Sequence, residues 1–548
     1  VNIKFSRESQ LILVFAYIVL ALGTFSVNYY HQVLSNHYLV NDDDLAQIFY
    51  FYNVGYKSFS EVTPIARYYL DLLPLGYKCL YKTVCSLAID PIYFSKLLTA
   101  FLFLTTLFIA FALGYKLANF SGGLFLFTMV FICEGFFERM AGGLPRAFGY
   151  PMAFLFCYGI FAQNIWGIAL ALVGSVLFYP PLTPFMALYT SFIFFFPHRL
   201  NFLPLTQWSF FKRFLCLTLL GIVCFLIILP PLFKGRYWGP MLSTKEMQQM
   251  PEMQAGGRYD LPDRTPSPSF FQAMDIIRYK VFRIFNRPKH KGEIIFTDRY
   301  GSFFLLLCLL PYFICSSSSL TSLTVLWLVL IGLYEISAWF YPRFYIPTRF
   351  LRYFMPIFVL EGIVLSFKEV AEKLNINNSL VSLVLLGLIS IVGLTYAPRG
   401  TRGFVYDFKP IAPLYQTIQK LPEDAVIVGW PDPVLDGVPL FGHRPILAGY
   451  ETYQLFHRRY LNMMRQRMKV TLKLLFTSNK SDFEKITHIY GIKYILFPRY
   501  IYQACGQLQI FTPFTPMAQR LCTQDHNPIV LSLPVVWQGK GYRLVKVR

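Results

Sequence analysis

Asp42, Asp43 and Asp44 stand in a row after Asn41. Three carboxylates this close repel one another, so the run calls for a cation, a metal ion or protons. A carboxylate at a water boundary can act as general base towards a hydroxyl or amine acceptor. The same oxygens suit a hard divalent cation, so Asp43 and Asp44 are the ligands to expect if Mg or Mn is used; no cofactor is required by the pattern. A third reading is a solvated helix start, where the dipole favours acids.

Four further groups of polar residues accompany the acids. Glu134-Gly-Phe-Phe-Glu138-Arg139 leads into Gly142-Gly-Leu-Pro-Arg146, where two glycines permit a tight backbone. Arg146 there suits a phosphate, or an ion pair with Glu138. Arg343, Arg349 and Arg352 alternate with aromatics in Tyr341–Tyr353. Guanidinium groups bind phosphate in planar, bidentate fashion, and they also anchor to anionic headgroups. Residues 233–301 hold Arg236, Tyr237, Trp238 and Arg258, candidates for acceptor or lid contacts. Asp432 and Asp436 sit in Gly429-Trp-Pro-Asp-Pro-Val-Leu-Asp-Gly437, a ligand-facing loop or a plain turn.

The elements that must carry these groups are apolar. The chain has 548 residues, of which 55% are hydrophobic and 14% charged. Soluble domains carry about 25% charge, and the mean hydropathy here is +0.46. A spanning helix needs about 20 apolar residues. Eleven segments qualify or come close: 11–30, 96–113, 121–134, 151–164, 165–179, 184–197, 214–232, 302–316, 322–340, 353–367 and 379–396. Lys4 and Arg7 precede the first, which reads as an uncleaved helix with a cytoplasmic N-terminus. Alternation then puts 31–95, 233–301, 341–352 and everything beyond 397 on the outer side. The arginines of 341–352 break the positive-inside rule there, which an anionic ligand would explain.

Composition changes after residue 397. Strands are expected at Ala425–Gly429, Lys493–Phe497, Val535–Trp537 and Tyr542–Val547. A helix is expected over Glu451–Leu475, and Ser481-Asp-Phe-Glu484 has the capping-box pattern of another. The expectation is a mainly α-helical polytopic membrane protein, domain 1–396, followed by a soluble extracytoplasmic α/β domain, 397–548. Cys505 and Cys522 are free thiols or, outside the cytosol, a disulfide.

Nothing matches a P-loop, a dinucleotide fingerprint, a G-x-S-x-G elbow or an H-E-x-x-H helix. The net charge of +21 is spread over membrane-adjacent loops, which argues against nucleic acid as partner.

An acid cluster just after the first helix, many helices and a late α/β part together resemble the GT-C superfamily of membrane glycosyltransferases. Leu421-Pro-Glu-Asp-Ala-Val-Ile-Val-Gly429 and Tyr490-Gly-Ile-Lys-Tyr-Ile-Leu-Phe497 look like the outer domain of its bacterial members. Trp-Trp-Asp-Tyr-Gly, the oligosaccharyltransferase motif, is not in the chain. The resemblance implies a polyprenyl-phosphate sugar donor, contact with membrane lipids, a glycan, lipid or protein acceptor, and a bacterial inner membrane. It implies Asp42, Asp43 or Asp44 as the acceptor's base, with Arg349, Arg352, Arg343 and Arg146 at the donor phosphate. Two other classes compete: a flippase, transporter or polysaccharide polymerase, and a non-catalytic subunit of envelope assembly. Glu335 and Glu361 are the acids within or at the ends of apolar runs, a thin signal for transport.

Overall fold

A computed structural model describes residues 7–52, 63–200, 202–259, 318–339, 348–373, 401–524 and 527–547. The expected segments 302–316 and 379–396 lie outside these residues, as do Arg343 and most of the loop beyond Tyr259.

Each of the other expected apolar segments falls on a helix, the long ones being Arg7–Tyr29, Pro91–Ile132, Phe210–Gly235, Ser318–Trp339 and Thr348–Lys373. Among the described residues two stretches are long and apolar enough to cross a membrane, Pro91–Ile132 and Phe210–Trp238. The expected count of eleven spans is therefore not established. Local chemistry starts and stops these helices. Asp90 caps Pro91–Ile132 by accepting from the Tyr93 amide at 2.8 Å, with proline at the first helical position. The helix reverses at Ala118 and Asn119, where Asn119 has φ +54°. A Cβ on Gly114 would lie 2.1 Å from the Gly122 carbonyl oxygen, so glycine lets the two limbs touch there. Asn164 and Ser209 cap Ile165–Phe178 and Phe210–Gly235 in the same way.

Residues 401–547 build a four-stranded sheet from β3 (Val426–Gly429), β4 (Ile492–Pro498), β5 (Val535–Gly539) and β6 (Tyr542–Lys546). The order is β3-β4-β6-β5, with β3 parallel to β4 and the other pairs antiparallel. All four expected strands are found. Two helix expectations are corrected. The helix expected from Glu451 starts at Arg458, because Asp436 captures the Glu451 amide (3.0 Å) and holds 451–457 as a loop. The next helix, Lys480–Ile489, is capped by Asn479 rather than Ser481, the Asn479 side chain accepting from the Asp482 amide at 3.2 Å. Cys505 and Cys522 form a disulfide.

A short two-stranded ladder joins the halves. β1 (Leu39–Val40) follows the first helix, and β2 (Tyr406–Asp407) opens the C-terminal part. They pair antiparallel, Leu39 opposite Asp407 and Val40 opposite Tyr406. This ladder sets the acid run directly beside the α/β part.

Candidate active site

Asn41 organises the acid run. Its amide donates to Asp44 Oδ2 at 2.8 Å, and its side-chain oxygen accepts from the Asp43 amide (3.0 Å) and from Arg146 Nη2 (2.6 Å). Its side-chain nitrogen donates to the Gly403 carbonyl, beyond which Val405 donates to Val40 in the ladder. One neutral side chain thus ties the acids, the arginine and the C-terminal part together.

The three aspartates take different places. Asp44 is 1% exposed, and among the described residues its Oδ1 has no hydrogen-bond partner. Burial drives its carboxyl well above the ordinary range, against the Asn41 bond that favours the anion, and the Asp42 charge pushes the same way as burial. Asp43 forms an ion pair with Arg146 Nη1. Asp42 is more open, its side chain 46% exposed, with Arg146 Nη2 3.8 Å away.

Arg146 reaches both acids from the turn Pro145–Phe148. Gly142 (φ +88°) and Gly143 (φ +56°) shape the approach. A Cβ on Gly142 would sit 2.3 Å from Asp44 Oδ1, so this backbone lies against the buried acid. The expected pairing of Arg146 with Glu138 gives way to Asp42 and Asp43. Glu134 pairs with Arg402 at 2.6 Å, and Gly403 packs on the Glu138 backbone.

Arginines of helix Thr348–Lys373 adjoin Arg146. Tyr353 donates its hydroxyl to the Arg146 carbonyl at 3.0 Å, and Tyr150 donates to the Arg352 carbonyl at 3.2 Å. Arg349 Nη1 lies 3.4 Å from the Tyr179 hydroxyl. Tyr353 stacks edge-on against Tyr150 (4.9 Å) and Tyr179 (5.3 Å). Its ring occupies space that any Cβ on Gly149 would take, 2.3 Å away. The charge of Arg349 is felt at both Arg146 and Arg352, and that of Arg139 at Arg352. Arg146, Arg349, Arg352 and Arg139 thus act electrostatically on one another in a chain, and Arg146 is the member that touches Asp42 and Asp43.

The 236–259 loop and the α/β part meet in a second charged pair. Arg258 Nη2 donates to Glu451 Oε2 at 2.8 Å, with its guanidinium over the Tyr450 ring. Glu451 is raised from its ordinary range by burial, with Arg258 opposing and Asp42 adding to the rise. The charges of Glu451, Asp42 and Asp436 all act on Tyr406. Asp436 is 1% exposed behind Glu451. Asp432 is elsewhere: it caps Pro433–Gly437 and accepts the Tyr542 hydroxyl at 2.8 Å. Trp238 is buried, donating to Asp71 Oδ2 at 3.1 Å, and Tyr237 lies between Arg67 and Arg459. Arg236 stands over Phe233. These last three fasten the 236–259 loop to its surroundings.

Of the sequence candidates, the structure links Asp42, Asp43, Asp44, Arg146, Arg349 and Arg352 through Asn41 and Arg146, and links Arg258 and Asp436 through Glu451. Asn41, Tyr353, Tyr406 and Glu451 were missed as site residues. Asn41 abuts the acids and Tyr353 abuts Arg352 in sequence; Tyr406 and Glu451 gave no signal, because only folding brings them near.

The acids fit a divalent ion poorly. A guanidinium already neutralises Asp43, and Asp44 has one oxygen on the Asn41 amide and the other against Gly142. Among the described residues no three His, Cys, Asp or Glu side chains form a ligand set.

Comparison with protein-family profiles and with curated proteins gives no match. Solved structures do resemble the chain. ArnT from Cupriavidus metallidurans bound to undecaprenyl phosphate aligns over 97% of this chain and 98% of its own, at 11% identity and TM-score 0.53. The Archaeoglobus fulgidus oligosaccharyltransferase tethered to an acceptor peptide aligns over 93% of this chain and 72% of its own, at 10% identity and TM-score 0.50. The same organism's AglB, in complex with an inhibitory peptide and a dolichol-phosphate, aligns over 92% and 72%, also at 10% and 0.50. At such identities the likeness is one of fold alone: the chain shares its architecture with ArnT and with the archaeal oligosaccharyltransferase.

Proposed function

We propose that this chain is a membrane glycosyltransferase. It moves a sugar from a polyprenyl-phosphate donor to a hydroxyl- or amine-bearing acceptor on the extracytoplasmic face. One observation carries the reading: two half-buried carboxylates, Asp42 and Asp43, share Arg146 with the arginine cluster of Arg349 and Arg352. The neighbours support it, since one is bound to undecaprenyl phosphate and another to a dolichol-phosphate. The Cys505–Cys522 disulfide supports an oxidising compartment for the α/β part.

In this reading Asp42 is the acceptor's base, because it is the most open of the three acids and its charge is felt at Glu451. It takes the acceptor proton as the new bond forms at the sugar's anomeric carbon. The C1–O bond breaks, and the phosphate leaves with the electron pair. Fixed guanidinium groups of Arg349 and Arg352 stabilise that charge without reorganising. Arg146, held by Asp43, keeps base and phosphate in register. No metal step is needed. Glu451, Tyr406 and Arg258 line the acceptor's side.

The test is transfer by the purified chain in liposomes, with a panel of undecaprenyl-phosphate monosaccharides. Asp42→Asn should cut transfer by about 10²-fold or more while leaving undecaprenyl phosphate binding intact. Arg349→Gln with Arg352→Gln should weaken that binding. Undiminished transfer by Asp42→Asn would overturn the assignment.

A further inference from the structure

A second cationic cluster lies outside the candidate site. Lys78 and Lys82 are one helical turn apart on Leu75–Ser86, so their side chains share a face. Lys234 lies one residue before the end of the apolar helix Phe210–Gly235, where a Cβ on Gly235 would lie 3.2 Å from the Leu72 side chain, two residues from the Leu70 carbonyl that Lys78 bonds. The charges of Lys82 and Lys234 both act on Lys78. Among the described residues none of the three forms an ion pair. The one acid that acts on Lys78, Asp71, is held by Trp238 Nε1 at 3.1 Å and by Arg67 at 3.7 Å. Like charges gathered without a counter-charge repel, unless an anion is supplied from outside.

The surroundings say what kind of anion. Leu75 (37%), Leu87 (67%), Leu232 (56%) and Phe233 (54%) are exposed beside the lysines. The Phe210–Gly235 helix buries none of its apolar window, which is how a lipid-facing helix looks. Exposed apolar side chains next to ammonium groups at a helix exit mark the boundary between acyl chains and headgroups. That boundary is on the same side as the candidate site. Four residues beyond Lys234, Trp238 packs on Tyr460 of the α/β part at 5.7 Å.

We propose that Lys78, Lys82 and Lys234 bind the phosphodiester headgroup of an anionic phospholipid. Lys82 and Lys234 are exposed and Lys78 is half-buried at the edge of a lipid-facing surface, whereas the arginines assigned to the donor are half-buried beside Tyr150, Tyr179 and Tyr353. Lys78 also donates to the Leu70 carbonyl at 3.0 Å, which fixes its head at the edge of the patch. The lipid bridges Leu75–Ser86 to the end of Phe210–Gly235 and discharges the cluster.

Native mass spectrometry of the full chain, titrated with phosphatidylglycerol, phosphatidylcholine and undecaprenyl phosphate in parallel, tests this. The Lys82→Gln/Lys234→Gln variant leaves the Lys78–Leu70 bond in place. Lys480→Gln/Lys485→Gln removes the same charge from the α/β surface. Wild type should retain phosphatidylglycerol over phosphatidylcholine, and the first variant should lose roughly tenfold of that retention. The second variant should match wild type. Equal retention of the two phospholipids by wild type would overturn the proposal, as would equal losses in both variants. A loss of undecaprenyl phosphate alone in the first variant would also overturn it, by showing that the lysines serve the donor.

Discussion

The Tyr353 hydroxyl donates to the Arg146 carbonyl at 3.0 Å. That bond fastens the turn carrying Arg146, which holds Asp43, to the helix carrying Arg349 and Arg352. Acid and arginine sides of the candidate site are therefore mechanically one unit. Four expectations follow from this arrangement and its supports.

Tyr353→Phe keeps the ring and deletes the bond. A buried hydrogen bond contributes about 1 kcal/mol, so a modest fall in thermal midpoint is expected. Sugar transfer should fall more than undecaprenyl phosphate binding, because the arginines stay while Arg146 loosens. Assays of both on one preparation give the comparison; equal losses would mean the tyrosine serves donor binding instead.

Asp44 is expected to be a protonated structural acid, unlike its neighbours. Asp44→Asn should fold and keep transfer within a few-fold, whereas Asp42→Asn should not. The sign of the pH effect follows from the raised carboxyl. An unfolded Asp loses its proton near pH 3.9, and the folded one only at higher pH. Its contribution to stability is therefore full at low pH and declines as pH rises above about 4. Denaturation midpoints of Asp44→Asn should fall less steeply than wild type over that rise.

Gly142→Ala should be costly. The position has φ +88°, and the new Cβ would meet Asp44 Oδ1 at 2.3 Å. Strain of this kind costs about 1–3 kcal/mol. Gly506→Ala, where a Cβ has open space, is the control. Chemical denaturation of the two variants should separate them clearly.

His457 should make the α/β part acid-sensitive. Its ring bonds the Tyr68 hydroxyl at 3.1 Å, and burial lowers it from 6.5 to about 4. It is neutral when folded and charges in the unfolded chain as pH falls below about 6.5. Stability is thus lost between pH 6.5 and 4, by up to about 3 kcal/mol for a shift of this size. His457→Gln should flatten that limb in a melting series from pH 7 to 5. An unchanged slope would place the sensitivity elsewhere, His443 being next in line.

The sequence by itself determined the elements. Apolar runs dictated helices wherever they were described, because a long run of Leu, Phe and Val has no cheaper way to satisfy its backbone. The β-branched runs around Ile427 and Ile495 dictated strands, and Gly142-Gly143 dictated a tight turn before Arg146. The acid run and the arginines of 349–352 were visible as chemistry because charge is conspicuous in an apolar chain.

Tertiary structure alone decided what those groups do. Asp42, Asp43 and Asp44 are chemically identical in sequence, yet one is open, one is paired and one is buried, since burial and partners belong to the fold. Arg146 had two eligible acids on its own loop and took two from a loop about a hundred residues away. Asp432 and Asp436 share a turn; one caps a helix and the other backs Glu451. Contacts across such separations depend on how helices and ladder pack, and a one-dimensional string carries no local mark of that packing.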